Sequence, residues 1–250
     1  MISTSLKQRI KNLLPGTLRD ALEGMGYVFR SSRYTQSSPQ ATFELIFKEN
    51  RWSSQESVSG PGSGKAHAAI FIPSLENCLR EFSIRTMLDL PCGDFNWMQE
   101  VQLAGINYTG ADLVEELILK NQANFPQHRF IRLDLLKDQL PTVDLFFNRD
   151  CLVHFSFYHI AQALINIGSS GSTYFMTTSF SGQRLNYDIH SGDWRPLNLL
   201  RSPFHFPNPL LTIPEYTAEN RFDHRGKTLC LWEIRTLRPV IEKFSKKYQT

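Results

Sequence analysis

Acidic side chains recur at the ends of successive apolar runs. Asp89 follows TML, Asp112 closes NYTGAD, Asp134 follows RFIRL, and Asn148-Arg149-Asp150 close VDLFFNRD. One such acid is often a helix N-cap. Four in series are harder to read as caps, because each would be delivered to the same edge of a sheet, where ligands bind. Asp112 lies 23 residues after Asp89, the spacing of a ribose-binding acid. Vicinal hydroxyls donate well to a carboxylate, and the charge-assisted pair fixes the sugar. Asp134 is then placed to receive an adenine amino group.

The turn after Asp89, in MLDLPCGDFNWM, narrows the ligand further. Gly93 lets backbone pass close to it, having no Cβ. A pyrophosphate needs donors along the whole turn and an open helix N-terminus. Pro91 removes one donor, Phe95 adds bulk, and Asp94 adds negative charge. These residues count against NAD, FAD and ATP. They accommodate an adenosine without phosphates that carries a cationic sulfur and an amino-acid tail, its ammonium facing Asp89 or Asp94.

Asp150 and His154 follow the fourth acidic run and are the candidates for a general base. Four apart, they share a face if a helix has begun. Two other roles stay open for Asp150, as an N-cap or as the partner of Arg149, and His154 has a packing role as its alternative. Farther on, His190, Trp194, Arg195 and Arg201, with His205, fall in one stretch. Its cations would grip a phosphate or carboxylate on a substrate. Trp194, Phe204 and Phe206 would stack on a sugar face or form the stretch's own small core.

The elements that position these groups alternate. Strand candidates are TMLDL, NYTGADL, RFIRLDL, VDLFFNRD, STYFMTTSF and a long KTLCLWEIRTL; helix candidates include Ala66 to Phe82, FNWMQEVQLAG, VEELILKNQANF and FSFYHIAQALINIG, closed by Gly168. Strands separated by helical patterns predict an α/β fold, a parallel doubly wound sheet with right-handed crossovers. Residues 1 to about 30 read as helical and ATFELIFKEN as a short helix, so residues 1–50 are expected to form a helical N-terminal cap on a domain of residues 51–250. RWSSQESVSGPGSGK has a linker's composition but leads straight into a helix. Residues 181–225, rich in proline and aromatics, read as a lid-like insertion that binds substrate.

Composition sets the remaining bounds. At 250 residues, 41% hydrophobic and 20% charged, the chain is globular and long enough for a core without staples. A net charge of +3 gives no footprint for nucleic acid. The four cysteines form no CxxC pair, which speaks against zinc and against a disulfide framework, and no carboxylate cluster beyond the strand-end acids calls for a metal. A reducing, cytoplasmic setting fits. No apolar run reaches the roughly 18 residues of a membrane span. The aromatic insertion would also serve as a dimer surface, so a homodimer is a further expectation.

The series DLPCGD, GADL, RLDL and DLFFNRDCLVHF resembles the motif series of class I S-adenosylmethionine-dependent methyltransferases, over about residues 52 to 238. Pro91 and Phe95 stand where that family's first motif has glycines. The resemblance implies a Rossmann-like sheet of about seven mostly parallel strands with an antiparallel final strand, and S-adenosylmethionine as cofactor. It implies that Asp89, Cys92 and Gly93 cradle the methionine part, that Asp112 binds ribose with Leu113 against the adenine, and that Asp134 and Leu135 hold the adenine's other edge. Asn148 and Arg149 would follow the cofactor's tail, and Trp52, Ser59 and Gly60 would close over it. A weaker similarity, in WSSQESVSGPGS with DLPCGDFNWM and RDCLVHFS, is to bacterial enzymes of surface-polysaccharide or secondary-metabolite pathways. It favours O-methylation of a small-molecule or glycan-related acceptor. A nicotinamide-dependent oxidoreductase, disfavoured by Pro91, Phe95 and the lack of a Tyr-x-x-x-Lys pair, and a non-catalytic cofactor-binding module are the alternatives.

Overall fold

Met87 and Leu88 are adjacent and both buried, yet they belong to two different cores. The same alternation runs through Phe146 and Phe147, Phe175 and Met176, and Leu231 and Trp232. Side chains alternate across a strand, so apolar residues at every position put both faces of the sheet out of water. In the computed structural model, which describes residues 38–52, 55–216 and 226–248, these strands form one seven-stranded sheet.

The strands are β1 (Thr86–Asp89), β2 (Asn107–Asp112), β3 (Arg129–Arg132), β4 (Leu145–Asn148), β5 (Tyr174–Phe180), β6 (Leu211–Pro214) and β7 (Lys227–Glu233). Their order is β3-β2-β1-β4-β5-β7-β6, and β7 alone runs antiparallel to its neighbours. The helices are α1 (Pro39–Lys48), α2 (Lys65–Ala68), α3 (Ile72–Glu81), α4 (Glu115–Asn124), α5 (Phe157–Ser169) and α6 (Ile234–Tyr248). α3 covers one face through Leu75 and Leu79; α5 and α6 cover the other through Leu164, Ile167, Leu237 and Ile241. Ser156 caps α5 by accepting from the His159 N–H. That helix runs on through Gly168 to Ser169.

Four expectations change. The expected helix over FNWMQEVQLAG is a single 3-10 turn, Met98–Glu100. Phe95 takes a left-handed φ of 58° and sits at 1% exposure among Phe125, Tyr108 and Phe130, so the chain turns its apolar residues into the core instead of winding. The long final strand stops at Glu233, where α6 begins; Ile234, Leu237, Ile241 and Phe244 give it a buried stripe, and Pro239 lies inside it. The insertion contains β6, too short at four residues to stand out in the sequence. Its described part before β6 is anchored in the core by Leu197, Leu199, Phe204 and Phe206, all under 5% exposed, rather than standing off it as a lid. The expected helix within residues 1 to 30 lies outside the described residues.

Gly110 on β2 is paired in register with Phe130 on β3. A Cβ there would fall 2.7 Å from the Phe130 ring and 3.1 Å from the Tyr108 hydroxyl. Gly110→Ala should therefore cost about 1–3 kcal/mol of stability through overpacking. The check is the urea unfolding midpoint; a midpoint equal to the wild type would show that the aromatic layer yields freely.

Candidate functional site

A cavity of about 1120 Å³, its open mouth included, lies beyond the carboxyl ends of β1 to β4. Each strand delivers groups to it: Asp89, Cys92 and Gly93 after β1, Asp112 and Leu113 after β2, Asp134 and Leu135 after β3, and Arg149, Asp150 and His154 after β4. Trp52 and Ser59 close it from the N-terminal side. Gly60 is not in the lining; it carries a φ of 95° and packs under Trp52, whose Cβ would stand 3.3 Å from a Cβ at Gly60. Asn148 also lies outside the lining. Fully buried, it donates to the Leu90 carbonyl at 2.6 Å and accepts from the Thr177 hydroxyl at 3.2 Å, so it ties β4 to its neighbours and does not follow a ligand.

The acids are buried and differently engaged. Burial pushes the Asp89 carboxyl up to about 8, although the Tyr108 hydroxyl donates to it at 2.8 Å. Burial pushes Asp112 up to about 6 against the N–H groups of Gly93 and Val114, which donate at 3.1 and 2.9 Å. Among the described residues neither has an ion-pair partner. Asp134 accepts from the Leu136 N–H at 2.9 Å. Removing such carboxylates from water disfavours their charge, and a cation in the cavity would restore it.

Asp94 does not face the cavity. It accepts from the Ser57 and Ser59 hydroxyls and the Val58 N–H at 2.9 to 3.3 Å. Asn96 reaches the same segment, donating to Glu56 and to the Ser63 carbonyl. The loop after β1 thus holds residues 56–63 down on itself. The contact is close enough that a Cβ at Gly93, whose φ is 56°, would fall 2.1 Å from the Ser59 hydroxyl oxygen.

Beside the cavity lies a buried cluster of charges. Arg149 donates through Nε and Nη2 to Glu215 at 3.1 and 2.6 Å and through Nη2 to the Gly62 carbonyl at 2.8 Å, while its guanidinium lies over the rings of Phe71 and Trp97. Lys227 donates to Asp150 at 2.5 Å and lies 3.1 Å from Glu215. Burial pushes the Asp150 carboxyl up, but Lys227 and Arg149 outweigh it and hold the group below its ordinary range. The carboxylate is committed to these two cations, which weakens Asp150 as a base. Asp150 has a φ of 53°, and its N–H donates to the Thr178 hydroxyl. It caps no α-helix.

His154 has the geometry that Asp150 lacks. Its Nδ1 lies 2.9 Å from the Asp193 carbonyl, which can only accept, so Nδ1 carries the proton and Nε2 a lone pair. Burial lowers its pKa to about 4, leaving the ring neutral. The Trp52 ring lies against it, centroids 5.1 Å apart.

The expected anion grip does not assemble. Arg195 is fully buried and donates to the carbonyls of Tyr187, Leu152, Val153 and Phe155 at 2.6 to 3.0 Å. Its donors are spent on backbone, and burial lowers its pKa to about 9. His190 and Arg201 are exposed and line neither this cavity nor the depression beside it. Trp194 is 43% exposed and lines that depression. Sequence reading missed Phe43, Ile46 and Phe47 of α1, which roof the cavity; their i, i+3, i+4 spacing is the signal that would have found them. Glu215 and Lys227 had no such signal, being 66 and 77 residues from their partners. Among the described residues no group of His, Cys, Asp and Glu could hold a metal ion, and no helix is long and apolar enough to cross a membrane.

No protein-family model and no curated protein sequence matches the chain. Solved structures do. PigF with S-adenosylhomocysteine is similar over 91% of this chain and 72% of its own, at 14% identity and a TM-score of 0.56. Magnesium protoporphyrin IX methyltransferase from Synechocystis, with bound S-adenosylmethionine, is similar over 80% and 98%, at 12% identity and a TM-score of 0.54. Human N-acetylserotonin methyltransferase, in complex with S-adenosylmethionine, is similar over 83% and 65%, at 13% identity and a TM-score of 0.53. The chain spans 53%, 65% and 52% of the length of three further matched structures, about half to two thirds. Taken with the strand order and the single antiparallel strand β7, these likenesses identify the architecture: the chain has the fold of the class I S-adenosylmethionine-dependent methyltransferases.

Proposed function

We propose that the chain is an S-adenosylmethionine-dependent methyltransferase acting on an oxygen of a small-molecule or glycan-related acceptor. The observation that carries this reading is the gathering of Asp89, Asp112 and Asp134, each at most 6% exposed, in one cavity at the ends of three adjacent strands. Two of them are raised by burial and lack a cation partner among the described residues. That chemistry suits a ligand bearing hydroxyls and positive charge, and opposes a pyrophosphate. When bound, S-adenosylmethionine supplies a methyl group activated by a sulfonium. The similar structures, solved with this cofactor or its demethylated product, support the same ligand.

In this reading Asp112 takes the ribose hydroxyls, and Leu113, Asp134 and Leu135 hold the adenine. Asp89, Cys92, Gly93 and Arg149 surround the amino-acid end. The roof of Phe43, Ile46 and Phe47 excludes water, and alignment of the reactants then supplies much of the acceleration. His154 receives the proton of the acceptor hydroxyl at Nε2. A base of low pKa suffices, because an oxygen that is gaining a methyl group becomes strongly acidic. Asp150, paired with Lys227, fixes the electrostatics beside it. A nicotinamide-dependent oxidoreductase is less well supported, since no α-helix N-terminus follows β1 to receive a pyrophosphate.

Titration calorimetry with S-adenosylhomocysteine tests the cofactor. Asp112→Ala should weaken binding by about 2–3 kcal/mol, roughly 30- to 150-fold, as charge-assisted hydrogen bonds to the ribose are lost. Absence of heat with the wild-type chain would sink the methyltransferase reading. A non-catalytic module would bind the cofactor with the same Asp112 dependence and transfer nothing.

The neutrality of His154 has its own consequence. Its folded pKa, about 4, lies below the ordinary 6.5, so the unfolded chain binds the proton more readily. The stability it confers is complete above pH 6.5 and is lost as pH falls through 4, up to about 3 kcal/mol. Urea denaturation of wild type and His154→Gln across pH 7 to 4.5 isolates this share, because the contributions of Asp89 and Asp112 are common to both. The wild type should lose more stability than the variant; parallel curves would mean that the ring titrates normally.

A further inference from the structure

Beside the cavity lies an open depression of about 1240 Å³, lined by Ile46, Glu49, Arg51, Trp52, Asp193 and Trp194 together with Gly192. Ile46 and Trp52 line both spaces, so the two share a wall, and His154 stands against Trp52 on the cavity side. A single exposed aromatic means little. Trp194 is different because the loop that bears it is fixed. Gly192 donates its N–H to the His154 carbonyl at 2.9 Å, Arg195 donates its N–H to Val153 at 3.1 Å, and the buried Arg195 side chain secures three further carbonyls of the same turns. Phe180 meets the indole edge-on, centroids 6.0 Å apart, and sets its plane. The ring nevertheless stays 43% exposed. A rigid loop that leaves an indole in water presents a preorganised platform.

We propose that this depression is the acceptor subsite and that it takes a neutral, polyhydroxylated ring, a sugar, laid on the Trp194 indole. The inference rests on the methyltransferase reading and gives it a substrate class. The platform supplies an apolar face for the ring's C–H groups. Glu49 and Arg51, paired with each other, border it and place a carboxylate and a guanidinium where hydroxyls would lie. Arg51 is engaged by Glu49, and Arg195, the cation closest in sequence, is buried away from the depression. Phosphate and carboxylate acceptors are therefore disfavoured. A hydroxyl of the seated ring that reaches past Trp52 meets His154, whose orientation is held by the Asp193 carbonyl of the same loop. One short segment thus builds the platform and aims the base.

The test is saturation-transfer NMR on the full chain with the methyl glycosides of common hexoses, with and without S-adenosylhomocysteine, beside the same measurement with phenol. Saturation transfer to the ring protons of at least one glycoside is expected in the wild type. It should weaken about 10-fold in affinity in Trp194→Ala, the size of a lost aromatic contact of about 1.4 kcal/mol, and recover in Trp194→Phe. Both variants should keep the wild-type affinity for S-adenosylhomocysteine, which shows that they are folded. Transfer to no glycoside, transfer to phenol alone, or glycoside binding indifferent to Trp194→Ala would overturn the proposal while leaving the cofactor reading intact. Failure of the wild type to bind S-adenosylhomocysteine would overturn the methyltransferase reading instead, whatever the glycosides do.

Discussion

A guanidinium at 6% exposure is not stable in a protein interior without partners, and the partners of Arg149 tie the end of β4 to the end of β6 and to the segment at Gly62. Unpaired, such a charge costs several kcal/mol. Glu215 answers it, Lys227 answers Glu215 and Asp150, and the four groups sum to no net charge. The cluster joins the ends of β4, β6 and β7 where the cavity begins. Asp150, and His154 beyond it, follow β4 directly, so their placement depends on this buried pairing.

The loop after β1 follows a similar logic of substitution. A phosphate-binding turn spends glycines on close approach and a helix N-terminus on charge. Here Asp94 and Asn96 spend their polar atoms on residues 56–63, and Phe95 fills the space where a helix would pack. The glycine that remains, Gly93, has no room for a side chain, since a Cβ there would fall 2.1 Å from the Ser59 hydroxyl oxygen. A chain segment from outside the sheet thus becomes part of the cavity wall, and the departures from a glycine-rich pattern are mutually consistent.

Charge inside the cavity is arranged in two zones. Around Asp89 and Asp112 carboxylates are buried with no partner cation among the described residues and resist ionisation. Around Asp150 the carboxylate is held ionised by Lys227 and Arg149, and beside it His154 is held neutral by burial. The first zone favours a cation; the second keeps a lone pair available at Nε2. Pushing titratable groups apart in this way is how one site supports both binding and proton transfer near neutral pH.

The acids at the strand ends and the alternating strands and helices were legible in the sequence, since periodicity and turn residues act over a few neighbouring positions; the antiparallel direction of the closing strand came only from the resemblance to the methyltransferase family. Even there local reading faltered where tertiary packing overrode it: Phe95 left the expected helix for an aromatic core, and α6 ran through Pro239 because its apolar stripe found α5. The roles of charged residues were decided by the tertiary structure alone. Arg195 reads as a surface cation and is the buried pin of its loop; Arg149 finds Glu215 across 66 residues of chain. What the sequence by itself determined was which groups reach the edge of the sheet. Which of them face a ligand and which face one another was left to packing, because a buried charge must take whichever partner the fold brings within hydrogen-bond reach.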